Sequence, residues 1–394
     1  MNVCILGAGG LGCVLGGGLA ESGVEVTLVA RPQHVGAIRE RGLRINGISG
    51  DRVVTDHLRA VSDARDVEGD IAYLVLLVKA KDTEQALAGA AALRDRRARA
   101  ASQRHQRRPG RHRPPARGLR RPRRGRRRRL PRAPRQGKDT ERALADAASL
   151  RARIAVAFSL QNPVVKEEAL SAWLGGDRVI GASTTEAGTL VGPGEVRHTA
   201  TAPTSCYFGE LDGRHSERVA TLVDVFTGAG FSSAATDEIA HVEWEKLLQI
   251  SVMAGWSAST MGAFGGSVAE GLGVREAAEH YVQLATELLA VYHAIGYEPR
   301  DFFAPFSSFR RFEASTFDEA VEQAMELGAA MRERGVIGRP SLHDDLLRGK
   351  ETEVDYCLGA FLGEAEKRGV AVPTARATYR IVKTLEQLGR REPS

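Results

Sequence analysis

The chain has 394 residues, 43% of them hydrophobic and 26% charged, as is typical of a globular protein with room for two domains. Its longest apolar run, Ile71–Val78, is far short of the roughly 20 residues that span a bilayer, and its start lacks the ordered regions of a signal peptide. The formal net charge is +6, and the four cysteines form no CxxC pair. We therefore expect a cytoplasmic protein with reduced thiols, no metal site and no membrane partner.

The first elements predict the opening of a doubly wound sheet. Val3–Leu6 is a short apolar strand that ends in glycines, Leu11–Ser22 has helical spacing, and Val24–Val29 fits a second strand. The continuous apolar run Ile71–Val78 fits a strand that is buried on both faces of a parallel sheet. Lys79 follows this strand, and helical spacing returns at 81–93.

An arginine-rich segment then breaks the pattern. Residues 94–136 hold 20 arginines and one acidic residue, so the rest of the chain carries a net negative charge. The segment has almost no apolar periodicity and is predicted to be disordered, because it cannot bury a core. A nucleic-acid-binding arm is the alternative. It is disfavoured because no aromatic residues interleave the arginines and the segment lies inside an α/β unit.

A repeat surrounds this segment. Lys81–Arg94 reads KDTEQALAGAAALR, and Lys138–Arg151 reads KDTERALADAASLR. Deleting 81–137 would restore an ordinary strand–helix–strand unit. We therefore hypothesise a local duplication that is partly read in a wrong frame of GC-rich DNA. Re-sequencing the gene tests this, and an intact in-frame coding sequence for the arginines would contradict it.

The strand pattern resumes at Ile154–Leu160, which is followed by Gln161, Asn162 and Pro163, and Val164–Leu174 has helical spacing. Further strands are predicted at Arg178–Ala182, Glu195–His198, Cys206–Gly209 and Phe231–Ala234. Helical patterns then occupy 238–262, 274–295, 315–333, 341–348, 351–368 and 373–388. The sequence therefore predicts an α/β Rossmann-type N-terminal domain, residues 1–236, followed by an all-α C-terminal domain, residues 237–394.

The glycines after the first strand match the pattern GxGxxG, and the strand before and helix after them make the match specific. Gly7 permits a tight turn, Gly9 lets the backbone approach a pyrophosphate, and Gly12 allows close packing of helix and strand. Gly10 belongs to the same predicted cofactor loop. Glycines that serve only a turn are the alternative.

Arg31 follows the second strand, where an NAD enzyme usually carries an acidic residue for the ribose 2′-hydroxyl. A guanidinium group suits a 2′-phosphate, so the sequence favours NADP(H) as the cofactor. A solvated surface arginine is the alternative.

Eight sequence blocks are spread along the chain: ILGAGGLG, VARPQH, VLLVKAKDT, SLQN, GPGEVRHT, FGELDG, WEKLL and SLHDDLLRGKETEVDY. Together they resemble the ketopantoate reductases (2-dehydropantoate 2-reductases). The resemblance covers nearly the whole chain except the arginine-rich segment, and the last block is quite specific. It implies NADPH-dependent reduction of a 2-oxo acid, in the simplest case 2-dehydropantoate to pantoate in pantothenate biosynthesis.

The resemblance also implies roles for individual residues. Lys246 matches the catalytic lysine, which would protonate the carbonyl oxygen as hydride arrives. Glu353 matches a glutamate that holds the substrate hydroxyl near that lysine, and Ser341 a serine that binds the substrate carboxylate. Asn162 matches an active-site asparagine expected to serve catalysis and the cofactor, and Lys79 a second lysine expected to contact cofactor and substrate. The alternatives are surface positions on helices or loops and, for Ser341, a helix N-cap.

The chain departs from the family pattern at four positions. Ile250 and Ala254 stand where the family often has asparagines, Pro163 stands for a glycine, and Leu358 for another asparagine. Because a site that reads polar groups discriminates strongly, these changes imply a changed substrate, so some 2-oxo acid is a safer prediction than 2-dehydropantoate itself. A non-catalytic NADP-binding or sensing protein of the same fold remains the main alternative. The oligomeric state stays open, with a homodimer as one option.

Overall fold

The computed structural model describes residues 1–77, 150–162, 164, 166–305, 308–335 and 338–389. Its strands are β1 Asn2–Leu6, β2 Glu25–Val29, β3 Leu43–Gly47, β4 Arg52–Val54, β5 Leu58–Val61, β6 Ile71–Leu76, β7 Ile154–Ser159, β8 Gly181–Thr184, β9 Ala187–Gly192, β10 Glu195–Ala200, β11 Cys206–Gly209 and β12 Ser233–Ala235. Its helices of the first half are α1 Gly10–Glu21, α2 Pro32–Arg41, α3 Lys166–Leu174 and α4 Glu217–Gly228. Those of the second half are α5 Ile239–Met261, α6 Val268–Gly271, α7 Arg275–Ile295, α8 Phe309–Glu313, α9 Phe317–Glu333, α10 Ser341–Leu347, α11 Leu358–Arg368 and α12 Pro373–Gly389.

Five parallel strands form the central sheet, in the order β5-β2-β1-β6-β7. Val3, Cys4 and Ile5 of β1 have no exposed surface, and because successive side chains point to opposite faces, both faces of the sheet are covered. From β1, the strands β2 and β5 are added successively on one side of the sheet, and β6 and β7 are then added on the other side of β1. The carboxyl ends of β1 and β6 therefore meet at a switch point, where open α/β sheets bind ligands.

Helix α1 lies close on the sheet because of its glycines. A Cβ atom on Gly16 would come within 2.6 Å of the Leu28 side chain, and one on Gly17 within 2.3 Å of Ile45. Glycine costs about 1 kcal/mol in a helix interior relative to alanine. Here that cost accompanies a close approach that a larger residue would prevent.

Two smaller sheets complete the first half of the chain, in the orders β4-β3-β10-β9 and β12-β11-β8. Helix α5 then crosses from this half into the helical half, because it contacts β8 and β11 as well as α7, α10 and α12. The helical core surrounds Trp256 of α5, which is fully buried and donates a hydrogen bond of 2.7 Å from Nε1 to the carbonyl oxygen of Ala277.

The predicted fold class, an α/β Rossmann-type domain followed by a helical domain, is confirmed. The division near Asp237 stays a prediction; β12 ends at Ala235 and α5 begins at Ile239. The predictions at Val78, Lys79, the helix 81–93, the segment 94–136 and Pro163 lie outside the described residues. Within the parts of the chain that the structure describes, none of the helices has the length and apolar character needed to cross a membrane.

The prediction of a helix over 351–368 was wrong at its start, because residues 351–357 form bends and turns and α11 begins at Leu358. No prediction from the sequence covered α2, α4, α6, α8, β3, β4, β5 and β9.

Candidate functional site

The glycine loop after β1 has the geometry that a bound pyrophosphate requires. Gly7 has a φ of +96°, which favours glycine, and its N–H and that of Ala8 donate to the carbonyl oxygen of Val29. A Cβ atom on Gly9 would meet nothing within 4 Å, so the backbone there is open to a ligand. A Cβ atom on Gly12 would come within 3.1 Å of the Gly7 carbonyl oxygen, as expected where helix and strand touch.

Gly10 differs from its neighbours because it packs against protein. A Cβ atom on Gly10 would lie 2.0 Å from the carbonyl oxygen of Gly188 in β9. The requirement for glycine at this position comes from that backbone contact. Packing alone explains why this residue is a glycine, and a role of Gly10 in cofactor binding stays a prediction.

Arg31 lies beside this loop, where β2 passes into α2. It precedes Pro32, the first residue of the helix; its side chain is exposed and makes no hydrogen bond or ion pair among the described residues. The start of α2 is anchored by His34, whose Nδ1 accepts from the Gly194 N–H at 2.7 Å and whose Nε2 lies 3.1 Å from Cys13 Sγ. Burial lowers the pKa of His34, so this anchor is neutral at pH 7.

A cavity of about 210 Å³ lies between the carboxyl end of β7 and the helical half. It brings together three residues that the sequence predicted from separate parts of the chain: Asn162, Ser341 and Glu353. Its remaining lining residues are Gln249, Ile250, Met253, Ala254, Pro340, Leu342 and Cys357. Four of them, at 249, 250, 253 and 254, come from one face of α5 and form what we call the α5 wall.

Asn162 is held at the cavity by a short turn after β7. The Ser159 hydroxyl donates to the carbonyl oxygen of Leu76 at 3.1 Å and accepts from the Gln161 N–H at 3.2 Å. These bonds join the ends of the two strands beside the switch point. Asn162 therefore lies at the ligand-binding edge of the sheet.

Ser341 is positioned by the residue two places along the chain. The ring Nδ1 of His343 lies 2.8 Å from the Ser257 hydroxyl oxygen, and this hydrogen bond fixes α10 against α5. The N-cap of α10 is Pro340, and Ser341 is the first helical residue with no side-chain cap bond. The alternative prediction of an N-cap serine was therefore wrong, and the hydroxyl of Ser341 is left exposed at the cavity.

Glu353 reaches the cavity because the preceding residue, Thr352, is held by hydrogen bonds to a residue distant in the sequence. Both the N–H and the hydroxyl of Thr352 donate to Oε2 of Glu386 in α12, at 3.2 and 2.7 Å. The turn that follows carries Glu353, half-buried, into the cavity lining. The alternative of an exposed helix acid was wrong, since this residue precedes α11.

Lys246 lies on α5 one turn before the α5 wall and is itself outside the cavity lining. Its side chain is buried, and it makes no ion pair within the described residues. Burial lowers the pKa of Lys246 to about 8, and the positive charge of Lys166 adds to this effect. The alternative of a surface lysine was therefore wrong.

Sequence reasoning missed Gln249, Met253 and Cys357. The first two lie three and seven residues after Lys246, so helical spacing from the lysine was a signal that could have found them. Sequence reasoning also missed Lys166 and Glu243, whose Nζ and Oε1 atoms lie 2.7 Å apart in the interior. Among the described residues, no group of three or more His, Cys, Asp or Glu side chains could hold a metal ion.

A parallel sheet with a glycine loop at its switch point, facing a helical half that carries a buried lysine and a cavity, is the arrangement of an NAD(P)-dependent oxidoreductase. Comparison with known proteins identifies the family. The model of ketopantoate reductase PanE/ApbA matches residues 3–102 and 137–213, and the model of its C-terminal part matches residues 238–386. The chain belongs to the ketopantoate reductase family.

Individual relatives agree over the full length of the chain. A 2-dehydropantoate 2-reductase of Halobacterium salinarum is 25% identical over 392 residues, which cover 99% of this chain and 100% of that protein. One of Pyrococcus horikoshii is 24% identical over 396 residues and 99% of each chain.

Solved structures share the fold. A PanE/ApbA family ketopantoate reductase from Ralstonia eutropha has a TM-score of 0.67 at 24% identity and covers 99% of this chain and 100% of that one. D-mandelate dehydrogenase, solved with NADH and anilino(oxo)acetate, has a TM-score of 0.66 at 19% identity with the same coverage. The chain is thus an oxidoreductase that acts on CH–OH groups.

Proposed function

We propose that the protein reduces a 2-oxo acid to the 2-hydroxy acid with NADPH, and that 2-dehydropantoate or a close analogue is the substrate. The observation that carries this proposal is the position of Lys246: a buried lysine one helical turn from a cavity that gathers Asn162, Ser341 and Glu353. These groups match the needs of a keto acid, which presents a carbonyl oxygen, a carboxylate and a side chain.

The glycine loop and Arg31 fit a phosphorylated dinucleotide. The open backbone at Gly9 accepts the diphosphate beside the first turn of α1. The guanidinium of Arg31, which has no partner among the described residues, is available for the phosphate on the ribose. When bound, the nicotinamide cofactor supplies hydride to the carbonyl carbon of the substrate.

Lys246 acts as the proton donor. Negative charge develops on the carbonyl oxygen during reduction, and an ammonium group with a pKa of about 8 is charged at pH 7 yet gives up its proton readily. The proton moves from Nζ to that oxygen and leaves a neutral amine, which regains a proton from solvent. Because Lys246 is buried, its charge acts in a medium that screens it little.

The residues of the cavity orient the substrate. The Ser341 hydroxyl donates to the carboxylate, Glu353 accepts from a hydroxyl on the side chain, and Asn162 fixes the end of the substrate near the sheet. The α5 wall offers Ile250, Met253 and Ala254 to the aliphatic part of the substrate. Lys79 lies outside the described residues, and its contact with cofactor and substrate stays a prediction.

The test is NADPH oxidation by the purified chain with a panel of 2-oxo acids. The panel pairs 2-dehydropantoate with 3,3-dimethyl-2-oxobutanoate, which lacks only its hydroxyl group. Turnover of either acid supports the proposal. Absence of turnover with every acid, together with retained NADPH binding, supports the second candidate.

That second candidate is a non-catalytic NADP-binding protein. Its support is the α5 wall, where Ile250 and Ala254 offer no amide to a polar substrate. A homodimer and a cytoplasmic location likewise remain predictions; sedimentation of the purified chain tests the first.

A further inference from the structure

A group of buried charges joins α3 to α5 behind the cavity. The Nζ atom of Lys166 lies 2.7 Å from Oε1 of Glu243 and 3.0 Å from Oε1 of Glu167. The three side chains are only 2%, 6% and 8% exposed, for Lys166, Glu243 and Glu167 respectively. Ionised groups are rarely buried this deeply without a partner, because desolvation is costly. The cluster lies where the chain turns from β7 into α3, four residues after Asn162.

The charge state of the cluster follows from its contacts. Burial alone would lower the pKa of Lys166, but Glu167 and Glu243 outweigh it and raise that pKa, so Lys166 is a cation. Burial, with the neighbouring Glu243, raises the pKa of Glu167 well above its usual value. The shorter of the two Lys166 contacts, 2.7 Å against 3.0 Å, is the one with Glu243.

The ion pair lies beside Lys246. Glu243 and Lys246 are three residues apart on α5 and so share one face of the helix. Lys246 interacts electrostatically with four groups: Lys166 of α3, Glu243 of α5, the Cys206 thiol of β11 and the Cys357 thiol before α11. Burial raises the pKa of both thiols, so they are neutral at pH 7. Among the described residues, the further titratable neighbours are Glu167 beside Lys166 and Glu353 beside Cys357.

We propose that Lys166 and Glu243 are positioning residues of the reduction: Glu243, one helical turn before Lys246 on α5, holds the Lys166 ammonium between α3 and α5, and this buried pair sets the electrostatic surroundings of Lys246. This inference rests on the proposed function of Lys246 as the proton donor. The two residues have opposite effects on Lys246, because the cation repels the ammonium form and the anion attracts it. Neither residue belongs to the lining of the cavity.

The test compares the pH dependence of kcat in the wild type and two single variants. We expect wild-type kcat to fall as the pH rises through about 8, where Lys246 loses its proton. In Lys166→Met the fall should move to higher pH by roughly one unit or more, and in Glu243→Gln it should move to lower pH. A purely structural pair would lower activity and thermal stability in both variants and leave the midpoint in place. Unmoved midpoints, or midpoints that move in the same direction, overturn the proposal.

Two further variants serve as controls, one for misfolding of the single variants and one for the loss of any lysine. Single variants that leave a buried charge unpaired can fail to fold, so Lys166→Met/Glu243→Gln removes both charges. Its midpoint should still move upward, because the effect of Lys166 on Lys246 outweighs that of Glu243; an unmoved midpoint overturns the proposal. Lys367→Met removes an exposed lysine that pairs with Glu364 on α11, and it should leave the midpoint unchanged.

A second measurement separates failure of this inference from failure of the proposed function. Carbon-13 NMR of labelled lysine side chains follows the titration of Lys246 without turnover, with its signal assigned by its absence in Lys246→Met. No turnover with any 2-oxo acid would contradict the proposed function alone. A Lys246 titration that is the same in the wild type and the double variant would contradict the role of Lys166 and Glu243.

Discussion

Gly10 and Gly188 meet backbone to backbone: a Cβ atom on Gly10 would lie 2.0 Å from the carbonyl oxygen of Gly188, and one on Gly188 would lie 2.5 Å from that of Gly10. Strand β9 therefore closes one side of the first turn of α1. Gly9, the adjacent residue, faces open space. Two neighbouring glycines of one loop are thus needed for different reasons: Gly10 for close packing and Gly9 for access of a ligand.

Gly9→Ala and Gly10→Ala should separate these requirements. Gly9→Ala should change the free energy of unfolding by less than about 1 kcal/mol, because its methyl group meets no atom, yet weaken NADPH binding at least about tenfold. Gly10→Ala should destabilise the fold by roughly 1–3 kcal/mol or more, because the methyl group meets backbone. Thermal unfolding and cofactor titration measure the two effects. Equal loss of stability in both variants would contradict this division.

Arg31→Ala should shift cofactor preference. Loss of a charge-assisted contact to the 2′-phosphate should weaken NADPH binding by about 10- to 100-fold and leave NADH binding nearly unchanged. Fluorescence titration with both cofactors measures the ratio. Arg41→Ala, at the other end of α2, is the matched control and should leave the ratio as it is. If the wild type binds both cofactors equally, the assignment of NADPH is wrong.

Lys246→Met should abolish chemistry and stabilise the fold. Turnover should drop about a hundredfold or more while NADPH still binds. Because burial lowers the pKa of Lys246 to about 8 from 10.5, its charge destabilises the native state by up to about 3 kcal/mol at pH 7. The variant should therefore unfold at higher temperature than the wild type.

The pH dependence of that stability has a defined sign. Between pH 8 and 10.5 the unfolded wild type binds more protons at Lys246 than the native state, so its stability rises with pH over this interval. The gap between the variant and the wild type should shrink over the same interval. Denaturant unfolding at several pH values measures the gap. A Lys246→Met protein that is less stable at pH 7 would show that the lysine has a structural role.

Deletion of residues 81–137 should leave kcat/KM within about twofold of the full chain, because a segment that cannot bury a core contributes little to the fold. One copy of the repeat remains to connect β6 to β7, which pair as parallel neighbours and need a crossover of about a dozen residues or more. The family match itself is interrupted over 103–136. Loss of folding on deletion would contradict the duplication hypothesis.

Much of the central sheet could be predicted because its strands carry their own signal. β1, β6 and β7 consist mostly of apolar residues, and in β2 the four residues after Glu25 are buried, as burial on both faces requires. β3, β4 and β5 were missed because each is short and carries an arginine among its apolar residues, so no continuous apolar run marks them. Their pairing depends on partners elsewhere, as in the parallel contact of β10 with β3.

The candidate site was predicted residue by residue, but its geometry could not be. The turn that carries Glu353 exists because Thr352 bonds to Glu386, and Ser341 lies at the cavity because His343 bonds to Ser257. Both contacts join residues far apart in the sequence, and neither leaves a local pattern. The Lys166–Glu243 pair belongs to the same class, since residues 166 and 243 lie on separate helices.

Helix α5, a single helix of 23 residues, carries both Lys246, the proposed proton donor, and one wall of the cavity. Lys246 and the α5 wall must therefore travel together whenever the helical half moves relative to the nucleotide loop. Such a motion changes how far a bound acid lies from the glycine loop and leaves its distance to the lysine the same. Parting α3 from α5 would also separate the buried Lys166–Glu243 pair, which adds to the free energy that such a motion costs.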